Sequence, residues 1–225
     1  MLAIFLFFIV LLLFVPNWWV NYVMNKHHKT INGLPGTGGE LAEVLIKRFN
    51  LNVSVETTKL GSHYDPSTKT VRLSPEYYHG KSLTSVAIAA HEVGHAVQDF
   101  RGEEALKLRQ RLVLISNGLQ KLGSVIMFIS PVAMAVTHSP ALSLFIALIG
   151  ILSLGSSVLV HLMSLPVEFD ASFNKALALL EEGKYVTQYD LIPIKQVLLA
   201  ASLTYVSAAL ASLLNVMRWI QILRR

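Results

Sequence analysis

His91-Glu92-Val93-Gly94-His95 sits at the centre of residues 82–100, where Leu83, Val86, Ala87, Ala90, Val93, Gly94 and Val97 recur at helical spacing and no proline intervenes. The segment is expected to be a helix, with Ser82 or Thr84 capping its start. On a helix, two imidazoles at i and i+4 leave from one face, close enough to grip one zinc ion. A glutamate between them is the residue type that takes a proton from a water polarised by that ion. The pattern points to the core of a zinc hydrolase, with His91 and His95 as metal ligands and Glu92 as general base. The plainer alternative is a pair of ordinary surface or core histidines on a helix.

The rest of the chain sets the surroundings of this helix. Of 225 residues, 53% are hydrophobic and only 15% are charged, and the mean hydropathy is +0.52. That is too apolar for an ordinary soluble domain and predicts an integral membrane protein in contact with the lipid bilayer. The sequence has no cysteine, so disulfides, thiolate catalysis and thiolate metal ligands are all excluded. A bound zinc would have to be held by His, Glu or Asp. The net charge is +5, yet the basic residues are not gathered into a stripe. No nucleic-acid partner is expected, and the bases instead mark loops facing the cytoplasm and anionic lipid.

Residues 2–20 form an almost unbroken apolar run long enough to span a bilayer, closed by Trp18, Trp19 and Tyr22 at interface depth. It lacks the basic start and small-residue cleavage site of a signal peptide, so residues 1–23 are read as a retained anchor. Lys26 and Lys29 follow it and place the next domain, residues 24–121, in the cytoplasm. His27 and His28 are adjacent on this junction, where convergence on one ion is less expected than a solvated tract. Residues 32–39 read as a turn-rich linker without the ending of a phosphate loop.

Thr37 is a possible cap for an amphipathic helix over residues 40–49, with Leu41, Val44, Leu45 and Phe49 on its apolar side. The alternation Leu51, Val53, Val55 and the later run of residues 70–74 then predict a small antiparallel sheet, with Asp65-Pro66 turning the chain between. Such a sheet either offers an edge strand to an extended peptide or only packs beneath the metal helix. Residues 103–121 read as a polar, headgroup-facing helix. Residues 122–163 read as a transmembrane hairpin turning at Thr137-His138-Ser139-Pro140, with Ser143 and Ala147 spaced for close helix approach. Residues 164–190 carry a helix back on the original face. Residues 191–225 form a last apolar helix with a basic tail, whose Arg218, Arg224 and Arg225 would oppose the basic-inside tendency if it crossed fully.

Catalytic zinc usually has three protein ligands and one open position. Glu103 and Glu104 lie a few turns beyond the motif, and no third histidine follows at metzincin spacing. Glu168 is the best-placed candidate, because two crossings return it to the face of the metal helix and it follows Pro166 as if starting a helix. The alternative for Glu168 is a helix-start carboxylate stabilised by the dipole.

Three runs carry a family resemblance: residues 89–98 around the motif, His63-Tyr64-Asp65-Pro66 with Val71-Arg72-Leu73-Ser74-Pro75, and Leu165-Pro166-Val167-Glu168-Phe169-Asp170-Ala171-Ser172. In these the chain resembles the neutral zinc metallopeptidases of bacterial membranes, over nearly its whole length. The resemblance implies a membrane-embedded gluzincin of the bacterial cytoplasmic membrane, multi-pass, holding one Zn2+ through His91, His95 and Glu168, with Glu92 as base. It also implies a polypeptide substrate in or near the membrane. More distant membrane gluzincins carry Asp where this chain has Ser172, which leaves Asp170 either to orient a histidine or to serve as a helix-start acid. His161, Tyr64 and Tyr78 are polar groups of a kind that serves an oxyanion, but each is more often structural, and the role is assigned to none. The expected fold is α+β and mostly helical, with about four membrane helices and a small cytoplasmic zincin-like domain. The competing function is a zinc-binding membrane scaffold or chaperone subunit that hydrolyses nothing. Oligomeric state is not legible.

Overall fold

The computed structural model describes residues 2–223, with the side chains of 2–13, 130, 131, 134, 140, 143, 215 and 218–223 outside the description. The chain runs as α1 (Leu2–Lys26), α2 (Gly38–Arg48), β1 (Ser54–Thr57), β2 (His63–Asp65), β3 (Thr70–Leu73), α3 (Pro75–Tyr78) and α4 (Leu83–Phe100). Then follow α5 (Glu104–Thr137), α6 (Pro140–Phe169), a π-helix (Asp170–Leu177), α7 (Ala178–Gly183) and α8 (Gln188–Leu223). Among the described residues three stretches are long and apolar enough to cross a membrane, Glu104–Ile129, Leu144–Gly183 and Gln188–Leu214. The expected first span lies mostly on side chains outside the described residues, as do Arg218, Arg224, Arg225 and Ser143.

The chain divides into two compact units. One comprises residues 14–107 and 166–204; the other comprises residues 1–13, 108–165 and 205–225. In the first unit α4 is the central element, and all its residues from Leu83 to Gln98 are buried. A helix enclosed on every side can be apolar all round, which explains why this segment is so poor in charge. Ser82 caps it, its side-chain oxygen accepting from the Ser85 N–H at 3.0 Å. The end of α1 is fastened to its start, with Thr84 Oγ1 donating to the Met24 carbonyl at 2.9 Å. Helix α2 opens with a capping box: the Glu40 N–H donates to Thr37 Oγ1 at 3.2 Å, and the Thr37 N–H donates to Glu40 Oε2 at 2.8 Å. Its buried face is Ala42, Leu45 and Ile46, whereas Val44, expected on that side, is exposed.

The sheet departs from the antiparallel expectation. Its order is β1-β3-β2, with β2 and β3 antiparallel but β1 and β3 parallel. The tight turn after Asp65 closes β2 onto β3, where Asp65 Oδ1 accepts from the Ser67 N–H at 2.9 Å and the Asp65 carboxylate pairs with Arg72. These bonds hold the Asp65 carboxyl well below the usual carboxylate range, the Ser67 hydroxyl first and Arg72 second. Residues 58–69 then act as the crossover that a parallel pair requires. Strand β3 is central, with Val71 and Leu73 fully buried, and β1 and β2 form the two edges.

In the second unit, parts of α5 and α6 form a close antiparallel pair. A Cβ on Gly123 would lie 2.8 Å from Ser153 Cβ, and one on Gly150 would lie 2.6 Å from Met127 Sδ. Ser116 and Ser156 meet hydroxyl to hydroxyl at 3.0 Å across the same pair. Small residues permit such an approach between apolar helices. The turn between them is His138-Ser139, with His138 in the left-handed region at φ 50°.

Candidate metal centre

The centre is built by α4 and by the end of α6 with the π-helix that continues it. One turn apart on α4, the rings of His91 and His95 stand edge to face with centroids 4.7 Å apart. Glu168 Oε2 lies 3.2 Å from His91 Nε2 and 3.3 Å from His95 Nε2. The potential ligand atoms of the three side chains fall within 4.8 Å of one another, and all three residues are buried. Glu92, next to His91 on α4, is buried too, at 6% exposure.

Glu168 arrives differently from the expectation. It does not start a helix: Pro166 lies inside α6, which runs on to Phe169 and continues directly into the π-helix. A proline removes one backbone hydrogen bond, but the chain on both sides here stays helical, so the residue does not act as a stop. The helix-start alternative for Glu168, and the same alternative for Asp170, therefore fall away. What brings Glu168 to α4 is close backbone packing. A Cβ on Gly94 would lie 2.5 Å from the Ala171 carbonyl oxygen, so only glycine fits where α4 meets the π-helix.

The outer nitrogens of both histidines are engaged. His91 Nδ1 lies 2.9 Å from Ser172 Oγ, and His95 Nδ1 lies 2.9 Å from Gln98 Oε1. Ser172 Oγ donates to the Leu198 carbonyl at 3.2 Å and accepts from Ser202 Oγ at 2.9 Å, so α8 also supports the site. A hydroxyl both donates and accepts, so Ser172 partners His91 Nδ1 in either tautomer. Gln98 is only 1% exposed, and its amide nitrogen donates to the Val167 carbonyl at 3.0 Å and to Asp170 Oδ2 at 2.7 Å. Asp170 also accepts from Lys175 Nζ at 2.8 Å, and Lys175 in turn reaches Glu103 Oε1 at 3.0 Å. Asp170 thus bears on His95 through Gln98.

These bonds test the fit of a metal. The Gln98 oxygen accepts only, so the proton of His95 lies on Nδ1 and its Nε2 lone pair faces the Glu168 carboxylate oxygen at 3.3 Å, two acceptors that repel one another unless a cation lies between them. Two imidazoles and one carboxylate without thiolate make a donor set suited to zinc. The residues present therefore fit the ion.

Residues without a predicted role in the site include Gln98, Ser202, Lys175 and Glu103. Gln98 is three residues beyond His95 on the same helix face, a spacing visible in sequence. Ser202 left no such signal. Of the other polar candidates, Tyr64 donates to Asp99 Oδ2 at 2.5 Å, and burial with the Asp99 carboxylate pushes its phenol well above the usual range. Tyr78 packs against the ring of His79, and His161 belongs to the other unit. His27 Nε2 meets Gln196 Oε1 at 3.1 Å, and His28 packs edge-on to Tyr77.

Comparison with known proteins gives a consistent picture. The family model described as "Putative neutral zinc metallopeptidase" matches residues 2–224. The chain is 35% identical over 202 residues to a protein of Bacillus subtilis (strain 168) described as "Putative membrane protease YugP", covering 88% of this chain and 85% of that one. No solved structure matches.

Proposed function

Since the chain belongs to the putative neutral zinc metallopeptidase family, we propose that it is a membrane-embedded zinc peptidase that binds one Zn2+ through His91, His95 and Glu168. The observation that carries this reading is the meeting of those three side chains, delivered by two elements more than seventy residues apart, within 4.8 Å. When bound, zinc supplies Lewis acidity, polarising the scissile carbonyl and acidifying a water at the open position.

Glu92 is the general base: it accepts a proton from the attacking water and returns it to the leaving amine. It follows His91 directly on α4 and is buried with the ligands. Burial around the site limits competing water. The edges β1 and β2, rather than the central β3, are where an extended substrate could add a strand through its main chain. The substrate is a polypeptide in or near the bilayer. The site faces the cytoplasm of a bacterial cell, on the side where Lys26 and Lys29 follow α1.

A non-hydrolytic zinc scaffold would close the fourth coordination position with a protein ligand. Glu92 between the two histidines argues against it, since a purely structural site needs no base there. Exchange of Glu92 for Gln in the full chain tests the assignment. Glu92→Gln should keep its zinc and lose about 10²- to 10⁴-fold in peptide hydrolysis. Unchanged hydrolysis would remove Glu92 from the mechanism.

A further inference from the structure

The partners of Gln98 are asymmetric in a way that determines its orientation. Its Nδ1-facing oxygen and its outward amide nitrogen are exchangeable by a flip of the side chain, and only the neighbours decide between them. Those neighbours are the Val167 carbonyl at 3.0 Å and the Asp170 carboxylate at 2.7 Å, both acceptors. A flipped amide would place its oxygen against both of them, so the NH2 group must face Asp170 and the oxygen must face His95.

Asp170 is itself held. It takes Lys175 Nζ at 2.8 Å and Asn174 Nδ2 at 2.8 Å, and Lys175 is anchored to Glu103 beyond the end of α4 at 3.0 Å. The series Glu103, Lys175, Asp170, Gln98 therefore ties both helices of the centre to one amide orientation. We infer that Gln98 is a positioning residue for His95, admitting only the Nδ1–H tautomer and so presenting Nε2 to the metal. This rests on the reading of His91, His95 and Glu168 as the metal ligands.

The choice of an amide has a chemical consequence. A histidine ligand commonly donates its outer N–H to a carboxylate, a carbonyl or water, and the partner sets both ring orientation and ligand basicity. Here the two outer partners are a hydroxyl, Ser172, and an amide, Gln98, and the carboxylate behind Gln98, Asp170, is balanced by Lys175. Neither an amide oxygen nor a hydroxyl draws the outer proton as a carboxylate would, so these partners would raise ligand basicity less than two carboxylates.

The test uses the full chain purified in detergent, with zinc affinity measured by chelator competition and ligand geometry read from the absorption spectrum of the Co2+ form. Gln98→Met keeps the length of the side chain and its packing but removes the acceptor; Gln98→Glu keeps an acceptor and removes the donors. Positioning predicts that Gln98→Met loses about 10- to 100-fold in affinity with an altered Co2+ spectrum. It also predicts that Gln98→Glu retains more affinity than Gln98→Met. A mere packing role predicts the reverse order, because Met fills the buried space and Glu brings a second carboxylate against Asp170; that order, or equal affinities, would overturn the inference.

Should either variant fail to fold, the wild type still decides. Nitrogen NMR of its zinc-loaded, histidine-labelled form should show His95 protonated at Nδ1 and metal-bound through Nε2, and the opposite assignment overturns the inference. Wild type that binds no zinc would overturn the metal reading beneath it, whereas zinc bound normally beside a wild-type-like Gln98→Met would overturn the role of Gln98 alone.

Discussion

Ser172 carries the outer support of His91 with an uncharged group, and it is fully buried. Its hydroxyl uses one donor and two acceptor positions on Leu198, Ser202 and His91, so nothing else in the site can replace it without leaving a buried group unpaired. Ser172→Ala should fold and should bind zinc about 10- to 100-fold more weakly, measured by chelator competition. An affinity equal to that of wild type would show that His91 needs no such partner. These residues differ in how far the sequence exposes them. His91, Glu92 and His95 are legible because one helical turn relates them. Glu168 is reached by elimination of cysteine ligands and by counting membrane crossings. Ser172 meets His91 across 81 residues of chain and Ser202 meets Ser172 across 30, and contacts between separate segments leave no periodic trace.

Among the elements, the junction of α4 with the π-helix is the decisive one. In an α-helix, residues five apart point in different directions, whereas the wider π turn brings them onto one face. This is what lets Asp170 and Lys175, five residues apart, pair at 2.8 Å while Ser172 reaches His91. Residues 170–177 read simply as helix in sequence, since the π form depends on what packs against it. The same holds for the sheet: alternation reveals the strand at Val55, but the parallel pairing of β1 with β3 follows from the three-residue β2 that the sequence shows only as part of a turn. Gly94 is where the junction can be tested. A methyl group there would press on the backbone carbonyl of Ala171 and force α4 away from the π-helix. Gly94→Ala should cost about 1 to 3 kcal/mol of stability by thermal or denaturant unfolding in detergent and weaken zinc binding with it. Wild-type stability with wild-type zinc affinity would mean that this close approach is not needed.

For the molecule as a whole, the long apolar helices also set where the chain returns to α4. The segment from α5 through α6 leaves the first unit at residue 107 and re-enters it at residue 166, just before Glu168, so the connectivity itself brings Glu168 to the two histidines. Composition points to long apolar helices from the start, since 53% hydrophobic residues with 15% charged ones are too apolar for an ordinary soluble domain, and three stretches among the described residues are long and apolar enough to cross a membrane. The central claim is that one metal ion joins the two chain segments. Its most direct test is the zinc content of the purified full-length protein, wild type against Glu168→Ala, by elemental analysis after dialysis, with helical content followed by circular dichroism. One zinc per chain in the wild type and less than about a tenth of that in a folded Glu168→Ala protein is the predicted result, since three protein ligands are what a catalytic zinc site requires. Equal zinc in the two proteins would contradict it.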